Sequence, residues 1–141
     1  MVRGTHPTED CTLFTNIVIA STALAMTAQG LPTVRATSDN TKISESCVVA
    51  IPPGTVIEDA DGDGVIQIVA SDITVQFADG SCLRGSASDL PPDEYKGYGI
   101  RVNGQSNVTI RGARVSGFWC GLWATKADGL VLDAVDASDN R

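Results

Sequence analysis

Three aspartates carry the most specific chemical signal in this chain, in the run Asp59-Ala60-Asp61-Gly62-Asp63-Gly64. The spacing copies the first half of an EF-hand calcium loop, with carboxylates at loop positions one, three and five and glycine at six. Alternating hard oxygen ligands suit Ca2+. The second half departs from the pattern: Gln67 stands at position nine, and Ala70 stands at twelve, where a bidentate carboxylate should close the shell. Two readings follow. One is a calcium site on Asp59, Asp61 and Asp63, completed by Glu58 and backbone carbonyls. The other is an aspartate- and glycine-rich turn between strands.

A second group combines cations with indoles: Arg101, Trp119, Trp123 and Lys126. Aromatic faces beside cationic groups hold anionic sugars by stacking plus charge. The same residues also fit an intramolecular cation–π contact that shields a sheet. No acidic pair is placed to shift a partner's pKa, so no general acid/base couple can be read. His6 is the sole histidine and lies at the extreme N-terminus. A Ser-His-Asp or Cys-His site within the later domain is thereby excluded. Asn107-Val108-Thr109 matches a glycosylation sequon, but a place just before a strand favours a turn asparagine.

The elements that must position these groups show as a repeat. Three segments align: Gly64 to Val75, Gly99 to Ile110 and Gly121 to Leu132. Each opens with glycine and an aliphatic residue. A second aliphatic block begins at Ile73, Val108 and Leu130, after a polar turn ending in Asp72, Asn107 or Gly129. Those turn residues tolerate left-handed backbone. Gly99 and Gly121 are 22 residues apart, whereas Gly64 and Gly99 are 35 apart. The stretch from Ser81 to Gly97 has the composition of the extra loop. A period in the low twenties with short blocks of Val, Ile, Thr and Leu predicts stacked strands in a solenoid. Alternation puts Ile100 and Val102 inside and Arg101 outside. It puts Leu122 and Ala124 inside and Trp123 outside, and it favours Ile66 and Ile68 as the inward pair of the first segment. Arg101 and Trp123 then occupy the same outward position of adjacent coils, about 4.8 Å apart. Upstream, Cys47 to Ile51, Pro52-Pro53-Gly54 and Thr55 to Ile57 read as strand, turn, strand.

Composition fits that picture. The chain has 141 residues, 43% of them hydrophobic, so a core can form. Charged residues are 19% and glycines number 14, unlike a helical bundle. The formal net charge of -7 argues against nucleic acid as a partner. No uninterrupted apolar stretch reaches membrane-spanning length. Leu13 to Ala28 is apolar and rich in small residues, so residues 1–28 read as a secretory signal, although Glu9 and Asp10 fit its leading segment poorly. The rival reading is a capping helix or strand. Residues 29–42 read as a linker and 43–141 as the solenoid domain. Cys11, Cys47, Cys82 and Cys120 contain no C-x-x-C pair, so structural zinc has no support. In an exported chain Cys47 and Cys82, which flank the first apolar block, are the expected disulfide; buried free thiols are the alternative.

The segments Gly99 to Gly117 and Gly121 to Asn140 resemble the repeats of the pectin-lyase-like superfamily. Ile51-Pro52-Pro53-Gly54-Thr55-Val56-Ile57 resembles the opening coil of many of its secreted members. The resemblance implies an all-β, right-handed parallel β-helix of about three to four coils, truncated before the rest of the solenoid. It also implies a secreted or cell-surface location and a role in binding or processing polysaccharide. The fold hosts many activities, so that role is the weaker implication. If the protein is catalytic, the resemblance implies β-elimination or hydrolysis of an acidic glycan. The competing class is a non-catalytic structural or adhesive module. The last residues, Asp133 to Arg141, run into a turn without a cap, so downstream coils of the same chain are an expected partner. Ca2+ is the one cofactor the residues suggest.

Overall fold

The computed structural model describes residues 31–141. The signal peptide read at 1–28, His6 and Cys11 lie outside the described residues. Eleven short strands follow one another: β1 (Thr33–Arg35), β2 (Thr41–Ile43), β3 (Cys47–Ala50), β4 (Ile66–Ile68), β5 (Thr74–Phe77), β6 (Leu83–Arg84), β7 (Tyr98–Asn103), β8 (Thr109–Arg111), β9 (Val115–Ser116), β10 (Cys120–Thr125) and β11 (Val131–Asp133). Among the described residues one 3-10 turn spans Pro92–Glu94.

Every strand pairing among the described residues is parallel. The strands form a five-stranded sheet in the order β1-β3-β5-β8-β11, a four-stranded sheet in the order β10-β7-β4-β2, and a β6-β9 pair. From β4 onward the chain visits the four-stranded, five-stranded and two-stranded sheets in turn, then begins again. Equivalent residues of successive circuits lie side by side.

Side-chain alternation fills the space between the sheets. Ile66, Ile100 and Leu122 share one inward column, and Ile43, Ile68, Val102 and Ala124 share the next. From the five-stranded sheet Cys47, Val75, Ile110 and Leu132 align inward. Leu83 and Val115 line up on the third side, and Phe118 is fully buried nearby. Columns of aliphatic residues explain why Val and Ile dominate, since branched side chains pack well on a pleated surface. Exposure rises along the column: Ile110 is 0% exposed, while Leu132, next to it, is 48% exposed.

The corner between the four- and five-stranded sheets turns on one left-handed residue. Asp72 (φ 60°), Asn107 (φ 55°) and Gly129 (φ 72°) occupy it in successive circuits. The Asn107 amide donates to Asp72 Oδ1 at 3.0 Å. Asn107 is therefore a stacked corner residue, as its place before a strand predicts.

Several sequence expectations need correction. The linker read at 29–42 contains β1 and β2, which pair with β3 and β4. Polar outward residues hide such three-residue strands. Thr55 to Ile57 is not a strand, although Ile57 is buried and its N–H donates to Arg84 O at 2.8 Å. The loop read at Ser81 to Gly97 gives up Leu83–Arg84 to β6, leaving residues 85–97 as the insertion. The Cys47–Cys82 disulfide is absent: Cys47 is a free, buried thiol, while Cys82 is disulfide-bonded otherwise. The physical reason is direction. Cys47 points into the core from β3, whereas Cys82 lies on another side, half-buried beside the inward-facing Leu83.

Candidate functional site: a carboxylate cluster beside an aromatic face

The three aspartates of the sequence motif converge, and a fourth joins them. Carboxylate oxygens of Asp39, Asp59, Asp61 and Asp63 lie within 4.8 Å of one another. Part of this cluster serves the fold. Asp39 accepts from the N–H groups of Asn40 and Ala60, at 2.8 and 2.9 Å. Asp59 accepts from Gly62 N at 3.1 Å and from Tyr98 N at 2.8 Å. Asp61 accepts from the Asn40 amide at 3.0 Å. Asp63 Oδ1 is sealed from water without a hydrogen-bond partner.

Crowding splits the titration of Asp61 and Asp63. A hydrogen bond with Asp61 holds the Asp63 carboxyl above its ordinary value, helped by burial and by the charges of Asp61, Asp59 and Asp39. The same hydrogen bond, with that from Asn40, holds Asp61 below it. One proton shared between two close carboxylates produces this pattern. The oxygen-rich arrangement is what a hard cation such as Ca2+ requires. Gln67 does not complete the shell in the EF-hand manner, since its amide donates to Asn40 Oδ1 and Gly64 O at 2.7 and 3.1 Å.

On the same four-stranded sheet, Lys42, Gln67, Arg101 and Trp123 form one outward row in register. Arg101 and Trp123 are direct neighbours, as the repeat predicts. The guanidinium, however, faces Tyr98, with Cζ 6.0 Å from its ring centroid. Tyr98 is the hub of an aromatic cluster. Its ring lies edge-on to Trp119 at 5.7 Å and 88°, and to Trp123 at 5.5 Å and 62°. Trp119 and Trp123 remain 44% and 37% exposed. Lys126 stands in the turn after β10 with φ 50°, and no ring contact or ion pair joins it to the cluster among the described residues.

The two groups meet. Asp59 bonds the backbone of Tyr98, and Asp63, Gln67, Arg101, Asn103 and Gln105 line one groove of about 250 Å3. Arg101 Nε is also buried without a hydrogen-bond partner. Sequence reasoning missed Asp39 and Tyr98. Tyr98 was within reach of the repeat, because it stands 22 residues before Cys120, its register partner.

Fold and site together define a class: an all-β chain of stacked parallel strands that presents an aromatic face beside clustered carboxylates. Among the described residues no helix is long and apolar enough to cross a membrane. Comparison with protein-family models, with curated proteins and with solved structures returns no match.

Proposed function

We propose that the chain forms coils of a right-handed parallel β-helix of the pectin-lyase-like kind, and that its four-stranded face binds a glycan at the cell surface or outside the cell. The observation that carries the binding reading is the half-exposed Tyr98–Trp119–Trp123 cluster with Arg101 beside it. Exposed indoles grouped on one face are unfavourable in water and suit the apolar face of a sugar ring. Right-handedness follows from the near-universal hand of parallel crossovers. Export draws support from the disulfide at Cys82, since such bonds persist in oxidising compartments. The role proposed here is binding. The test is affinity electrophoresis through gels holding single polysaccharides. Wild type is expected to be retarded by at least one, and Trp123→Ala and Trp119→Ala are expected to lose most of that retardation. Unchanged mobility in both variants contradicts the reading.

A second reading concerns calcium, favoured by the four carboxylates within 4.8 Å. Calorimetry at millimolar Ca2+ is expected to show heat with wild type and none with Asp61→Asn. Absence of heat with wild type removes calcium from the account.

A further inference from the structure

We infer that the groove on the four-stranded face selects an uncharged glycan over a polyanion, an inference that rests on the glycan reading above. The sequence alone pointed to acidic sugars, because Arg101 and Lys126 stand near two indoles. The structure changes the local balance of charge. Lys126 is away in the turn after β10. Lys42, on the row of Arg101, lies two strands off, across β4. Asp63 lines the same groove as Arg101, and Asp39, Asp59 and Asp61 crowd Asp63. The groove thus sets one carboxylate, with three more clustered around it, beside its one guanidinium. A second carboxylate brought by a ligand meets repulsion at that spot.

The hydrogen-bonding atoms left free in the groove also alternate in sense. Gln67 spends its amide N–H groups on Asn40 and Gly64, leaving its oxygen as an acceptor. Asn103 Oδ1 takes the Thr125 hydroxyl at 3.0 Å, leaving its amide as a donor. A hydroxyl both donates and accepts, so vicinal hydroxyls match such a mixed lining. A carboxylate only accepts, so it matches the donor side of the lining alone. Tyr98 and Trp123 beside Arg101 offer the apolar platform for the ring.

The experiment compares a neutral β-glucan and a neutral galactan with polygalacturonate and alginate, by affinity electrophoresis of the whole chain in EDTA and in millimolar calcium. The neutral polymers are expected to bind about tenfold tighter than the polyuronates. Their binding is expected to hold in high salt, because no net charge is recruited. Asp63→Asn is expected to raise polyuronate affinity while the melting temperature shows the fold intact. A polyuronate preference in either buffer, lost with Arg101→Gln or in high salt, overturns the selection and leaves the glycan reading standing. No retardation by any polymer, or neutral binding indifferent to Trp123→Ala, removes the glycan reading and the selection together.

Discussion

Asp63 and Asp61 show how a residue's neighbours set its chemistry. Asp63 titrates above its ordinary value of 3.8, so its contribution to stability is present in acid and is lost as pH rises through the folded value. Asp61 titrates below 3.8, so its contribution is present above that value and is lost as pH falls. The pair therefore favours the fold most where it holds one proton, and that support declines as the second proton leaves. Asp63→Asn is expected to raise the melting temperature at neutral pH, with the gain shrinking in acid. A melting series across pH checks this, and a gain independent of pH contradicts it. The thiols give a second prediction. Burial, then the charge of Glu45, pushes the Cys47 thiol up, whereas Cys120 is half-buried, with its thiol on Leu122 O at 3.3 Å. Alkylation of the native protein followed by peptide mapping is expected to label Cys120 first and Cys47 only on unfolding. At this scale the sequence revealed residue types but not company. The triple-aspartate run was visible; Asp39 was not, because it sat in a stretch that read as linker. Arg101 and Trp123 were placed in register, yet Tyr98 receives the cation.

Strands of two to four residues carry little local information, and legibility followed their apolar content. The blocks at Ile66, Ile100, Val108 and Leu122 announced their elements, and their inward columns emerged as alternation required. The pairs at Leu83–Arg84 and Val115–Ser116 did not, because two residues show no period; only their mutual pairing defines them. Corners were more legible, since Asp72, Asn107 and Gly129 share an unusual backbone requirement. Gly129→Ala sets a side chain on a φ of 72°, with its Cβ 2.6 Å from Asn107 Oδ1. Chemical denaturation is expected to show a loss of about 1–2 kcal/mol from the left-handed backbone alone. Column position sets core costs in the same way. Ile110→Ala is expected to cost about 2–5 kcal/mol. Leu132→Ala, one circuit on and half in water, is expected to cost about 1 kcal/mol. Equal costs would contradict the difference in burial along the column.

Across the whole molecule, stability passes from circuit to circuit through parallel pairing and stacked columns. Such arrays are held by nearest-neighbour interfaces, so outer units open first. Amide exchange is expected to be slowest in β7 and β8, which are paired on both sides, and faster in β10 and β11. The repeat of 22 residues made this architecture legible; the 35-residue step with its insertion made the count of strands harder to read. The glycan face depends on the same stacking, since only the register of β7 against β10 brings Tyr98 and Arg101 beside Trp123. The most direct measurement is a set of nuclear Overhauser contacts on labelled protein. Contacts typical of parallel neighbours are expected between Ile66 and Ile100, between Ile100 and Leu122, and between Arg101 and Trp123. An antiparallel pattern, or Ile100 and Leu122 with no contact, would contradict the account.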